Sequence, residues 1–263
     1  MEDTLSFLRE ANRLDFLLLN FLDYHPSQLP LRWTTITYLR LSNGTAHSVL
    51  SAQEFLQVLS RAPNLVVCWT DIDSRASRCL QRKPHVTLPH LQRLTICNQE
   101  NELDVLFDNL TLPSLNYIYI HQYDGWDMED RTKPWPFIEL LGLFKRSSPP
   151  LEIFAVHGCP VEPQTAVCWL KACPGLACLK ITGAHLTDAL LDLLTVADDA
   201  ALPIAGANLK VVAFGCFESQ GAALNKIMSF VETRQRASSA DRVAPIERAN
   251  FQITQDNDLT FEQ

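Results

Sequence analysis

The side chains in this 263-residue chain with the most scope for chemistry are seven histidines and eight cysteines among scattered carboxylates. His121 and His157 hold the same place in successive apolar phrases, so they are expected on neighbouring strands, roughly 5 Å apart. Asp71 stands on a third strand, and such a set could move a proton or hold a metal. Cys168, Cys173 and Cys178 recur at intervals of five. Zinc sites pair their ligands at shorter spacing, and no histidine pair follows at finger spacing, so reduced, buried thiols are the reading. Asp71 and Asp73 offer too few oxygens for a calcium loop. No G-x-S-x-G, G-x-x-x-x-G-K or H-E-x-x-H phrase is present. The expectation is therefore no enzyme, no metal and no cofactor. The alternative is a small hydrolase or metal-dependent enzyme on a repeat scaffold, which requires His121, His157 and a carboxylate in one closed pocket.

Charge narrows the function classes. Thirty acidic against 22 basic residues give a net charge of −8, which argues against nucleic acid or an anionic membrane as partner. With 47% apolar and 20% charged residues the chain is too apolar to be disordered. Nine glycines against 15 prolines leave little material for phosphate-cradling loops. The apolar run at Phe16–Leu22 is too short to span a bilayer, and the first residues lack the basic start of a secretory signal. A cytoplasmic or nuclear, non-secreted location is expected.

Leucine occurs 40 times, an excess that repetition would explain. One phrase recurs: apolar, two residues, apolar, one residue, apolar. It reads Ile36, Leu39, Leu41; Leu65, Cys68, Thr70; Leu91, Leu94, Ile96; and Leu115, Ile118, Ile120. It continues as Leu151, Phe154, Val156; Leu176, Leu179, Ile181; and Leu209, Val212, Phe214. The spacings are 29, 26, 24, 36, 25 and 33 residues. Phrase and period match the strand segment of a leucine-rich repeat. Between the phrases lie amphipathic helical runs at 51–62, 102–110, 135–144, 163–173, 187–196 and 219–234. Thr187-Asp188 has the chemistry of a helix N-cap, and Pro174-Gly175 of a stop. One strand-helix unit cannot close a core, but stacked neighbours share one. The predicted fold is an α/β leucine-rich-repeat solenoid of about seven to eight repeats, with a curved parallel sheet inside and helices outside.

The divisions follow from the irregularities. Residues 1–30 are expected to form an N-terminal cap around an amphipathic helix from Leu5 to Leu22. The array occupies 31–236. Residues 237–263 form a C-terminal cap and tail, with a degenerate closing strand at 246–254. The stretch from Ser74 to Pro89 reads as an irregular connection, and Asp124–Pro134, with Trp126 and three acids, as a polar insert at a repeat edge.

Several longer runs resemble a known family. Val86-Thr87-Leu88-Pro89-His90-Leu91-Gln92-Arg93-Leu94, Leu110-Thr111-Leu112-Pro113-Ser114-Leu115, Ala62-Pro63-Asn64-Leu65-Val66 and Ser147-Ser148-Pro149-Pro150-Leu151-Glu152 are similar to the F-box-like leucine-rich-repeat proteins of mushroom-forming fungi. The resemblance covers about residues 30–235. It implies a substrate receptor of a cullin-type ubiquitin ligase, in which the repeats hold the target and the F-box docks an adaptor. Residues 1–30 lack the Leu-Pro-x-Glu opening of an F-box. The F-box itself is thus expected to be missing from this chain, which leaves adaptor docking unsupported by the sequence.

If the phrase residues point into the core, period-two alternation sends the residues between them to the other, concave face. That face would carry Tyr38, Arg40, Trp69, Asp71, Arg93, Tyr117, Tyr119, His121, His157 and Lys180. Tyr, Trp and Arg are enriched at binding hot spots. A protein partner is therefore predicted there, centred on Trp69, Arg93, Tyr117 and Tyr119.

Overall fold

The computed structural model describes residues 13–20, 26–42, 50–72, 84–98, 103–122, 135, 137–159, 161–182, 188–195, 206–217, 220–239 and 243–253. The expected insert at 124–134 and the first part of the expected N-terminal helix lie outside the described residues. The architecture is mixed α/β. The chain divides into two compact units, Met1–Val156 and His157–Gln263. In each unit the strands of a parallel sheet follow the sequence order and are flanked by helices.

The sheet of the first unit contains β1 (Phe16–Asn20), β2 (Tyr38–Ser42), β3 (Val67–Ile72), β5 (Arg93–Asn98) and β7 (Tyr117–Gln122). Each pairs in parallel with the next. β8 (Ile153–His157) follows at the end of the unit. Helices α1 (Ala52–Arg61), α2 (Leu103–Asp108) and α3 (Phe137–Ser147) form one layer, α1 beside α2 and α2 beside α3. A two-stranded parallel sheet, β4 (Val86–Thr87) with β6 (Leu110–Thr111), accompanies them. The second unit holds β9 (Cys178–Thr182), β10 (Val211–Phe217) and β11 (Arg248–Ile253), again parallel, with α4 (Pro163–Ala172), α5 (Asp188–Leu194) and α6 (Gln220–Ser239).

Each of the seven apolar phrases feeds a strand, and none of their residues is more than 4% exposed. The phrase face meets the helices: Phe144 of α3 packs edge-on against Phe154 of β8, their ring centroids 5.7 Å apart. In the second unit Phe230 of α6 meets Phe251 of β11 in the same way. Burial of each large apolar side chain contributes about 1.5–3 kcal/mol, so these triplets dominate the stability of their units.

The turn into each strand is written locally. The amides of Leu65, Leu91, Leu115 and Leu176 donate to the carbonyls three residues back, of Ala62, Leu88, Leu112 and Cys173. Pro63, Pro89, Pro113 and Pro174 occupy the second turn position, where the ring presets φ. Beyond the turn, one carbonyl accepts two amides from the next strand. Thr37 O accepts from Val66 and Val67, Val66 O from Gln92 and Arg93, and Gln92 O from Asn116 and Tyr117. Ala177 and Lys210 do the same in the second unit. A side-chain latch recurs as well: Asn64 donates to Thr34 O, Ser114 to Pro89 O and Asn208 to Pro174 O. The repetition seen in the sequence is thus a repetition of hydrogen bonding.

Helix starts follow their caps. Ser51 Oγ accepts from the Glu54 amide, and Glu54 Oε2 accepts from the Ser51 amide at 3.0 Å, a closed capping box. Pro163 opens α4.

Four expectations need correction. Residues 16–20 are a strand rather than the end of a helix: Leu17 pairs with Leu39 and Leu19 with Leu41. Leu14, Leu17 and Leu19 repeat the apolar phrase, an eighth copy masked by helical spacing in the same run. Val86 and Thr87, expected within an irregular connection, form β4, and Leu110 belongs to β6 rather than to α2. Helix α6 continues to Ser239, past the expected end. The closing strand is β11, where Ala249 and Phe251 pair with Val212 and Phe214.

Candidate functional site

On the strand face away from the helices, the first unit brings eight of the ten predicted residues into rows. Phe16, Tyr38, Val67, Arg93 and Tyr117 are successive partners across five strands. Leu18, Arg40, Trp69, Thr95 and Tyr119 form the next row, and Asp71, Cys97 and His121 a third. Each row exists because parallel strands in register place equivalent side chains about 4.8 Å apart.

Contacts within the rows pre-order the aromatic groups. The Arg40 guanidinium lies 4.3 Å from the Trp69 ring centroid, a cation–π contact. Tyr38 stacks on Phe16 with centroids 4.2 Å apart and planes 13° from parallel. Tyr119 and His121 lie nearly parallel at 6.1 Å. Tyr38, Arg40, Trp69, Tyr117, Tyr119 and His121 are half-buried, and Arg93 is exposed.

Asp71 departs from its predicted role. It is only 5% exposed, so its carboxylate is withdrawn from the surface it was expected to present. Cys97, its neighbour on β5, is 4% exposed. The alternation of side chains holds at both positions, but at the strand ends the face is covered.

Phe16 and Leu18 were missed as surface residues because the sequence read their run as helix. They are 51% and 42% exposed and extend the aromatic rows onto β1. The signal lay in the Leu14-Leu17-Leu19 phrase, which sets Phe16 and Leu18 at the alternate positions.

The remaining two predicted residues belong to the second unit. His157 Nδ1 is 3.0 Å from Thr182 Oγ1, a hydrogen bond across neighbouring strand ends. Lys180 is exposed on β9. Beside it, burial pushes the Cys178 thiol up, against a weaker opposite pull from the Lys180 charge. Burial also raises the Cys68 thiol, and that of Cys173 to about 12, which makes both poor nucleophiles. Among the described residues no group of three His, Cys, Asp or Glu side chains is placed to hold a metal ion.

No family model matches this chain, and no curated protein does. The site therefore rests on its own geometry: aromatic and arginine side chains, stacked in pairs, on one strand face of the first unit.

Proposed function

We propose that this chain is a leucine-rich-repeat array that acts as a protein-docking module rather than an enzyme. Its partner is held on the strand face of the first unit, away from the helices. The single observation that carries the reading is the pairing of Arg40 over Trp69 within a row of partly exposed aromatic side chains. Rigid aromatic groups contribute large contact area with few torsions to freeze on binding, which is why such clusters anchor protein interfaces. Strand order that follows the sequence within each unit, the helix layer of the first unit and a repeated turn-and-carbonyl pattern support the repeat architecture.

The resemblance to F-box-like leucine-rich-repeat proteins extends the proposal: the face would hold the target of a ubiquitin-ligase receptor, inside the cell. The test is affinity capture from native cell extract with wild type and the W69A/Y119A double variant. Both should melt alike, since neither side chain belongs to the buried phrase face. The variant should lose proteins that the wild type retains. An unchanged set of captured proteins would refute the site, and a cullin adaptor among them would tie the module to the ligase.

A further inference from the structure

The charges on the docking face point to the chemistry of the partner. Although acidic residues outnumber basic ones by 30 to 22 in the whole chain, the rows of the first unit present arginine to solvent and no exposed carboxylate among the described residues. The Arg40 guanidinium lies over the Trp69 ring, and its Nε is buried with no acceptor among the described residues. Arg93, two strands away, stands exposed, and its guanidinium has no ion pair or hydrogen bond among the described residues. Asp71 is the one described acid in these rows, and it is buried. A guanidinium stacked on an aromatic ring keeps its outer N–H groups directed at an incoming acceptor and matches a carboxylate in fork geometry.

We infer that the face binds an acidic peptide segment, with Asp or Glu carboxylates on Arg40 and Arg93 and an apolar side chain against Trp69, Tyr38 or Tyr117. This rests on the docking reading above and gives it a ligand class. A nucleic-acid strand would also meet stacked aromatic groups and arginine. It carries a charge at every residue, however, and two unpaired cations on a chain of net charge −8 are few for such a ligand.

The experiment uses the full chain and fluorescein-labelled peptides of about eight residues, enough to cross five strands in extended form. One alternates Glu and Leu; its counterparts carry Gln or Lys in place of Glu; an oligothymidylate is the fourth probe. Fluorescence anisotropy should show the Glu peptide bound roughly tenfold more tightly than the Gln peptide. The difference should shrink as salt rises from about 20 to 200 mM. It should vanish in R40Q/R93Q, which melts like the wild type and keeps the weaker Gln-peptide affinity. Equal or tighter binding of the Gln peptide, the Lys peptide or the oligonucleotide would overturn the inference, as would a Glu preference that survives R40Q/R93Q. If Gln-peptide binding is lost in W69A/Y119A but no preference for Glu exists, only the charge inference falls. If no probe binds and W69A/Y119A captures what the wild type captures, the docking face falls with it.

Discussion

Replacing Leu94 by alanine tests the register on which the face depends. Leu94 is fully buried in β5, between Cys68 of β3 and Ile118 of β7, while its chain neighbour Arg93 is exposed. L94A removes three buried carbons, about 2.4 kcal/mol at about 0.8 kcal/mol each. The residual cavity raises the expected loss to about 3–5 kcal/mol. For a unit of this size each kcal/mol lowers Tm by about 2–4 °C, so the melting point should fall by at least about 6 °C. R93A, one residue away, should change stability by less than about 0.5 kcal/mol. Urea titration followed by circular dichroism measures both, with an unchanged m-value marking a change in stability rather than in the unfolded state. A silent L94A beside a damaging R93A would refute the assignment, because a one-residue slip exchanges the two faces of a strand.

Four further outcomes follow from local geometry and burial. S51A removes the acceptor that holds the Glu54 amide and should lower unfolding free energy by about 1 kcal/mol in chemical denaturation; no change would mean that the capping box does not stabilise α1. Gly206 has φ of +68°, and an added Cβ would stand 2.6 Å from Leu209 Cδ1, so G206A should cost about 1–3 kcal/mol, with thermal melting as the check. Iodoacetamide should label Cys168 in the folded protein, while buried Cys68 and Cys173 react only after denaturation, as read by peptide mass spectrometry. Because burial holds the Cys173 thiol at about 12, its contribution is complete below the unfolded-state pKa of about 8.5. It is lost as pH rises from there towards 12, since the unfolded state then binds fewer protons. Stability that rises across that window in wild type relative to C173A would contradict the assignment.

Much of the strand framework was legible because its causes are local. Leu65, Leu91, Leu115 and Leu176 each follow a proline-containing turn, and the alternation after them decides which side chains meet the helices. The chemistry of Ser51 with Glu54 marks a helix start without reference to anything distant. The candidate surface was legible to the same depth: once Leu39, Cys68, Leu94 and Ile118 face inward, Arg40, Trp69, Arg93 and Tyr119 must take the other side.

What lay beyond the sequence depends on partners far along the chain. Phe16–Asn20 suits a helix or a strand by periodicity, and only pairing with β2 supplies the hydrogen bonds that settle it. Thr87 and Thr111 gain strand form from each other across 24 residues. The stacking of Arg40 on Trp69 and of Tyr38 on Phe16 needs adjacent strands in a definite register. Asp71 shares its alternation with Trp69 yet is covered, because burial at a strand end is set by what packs there rather than by period two. The sequence by itself determined which way each repeated side chain turns, since that is a property of consecutive backbone units. The tertiary structure decided which neighbours those side chains meet, since that depends on how separate strands are brought into line.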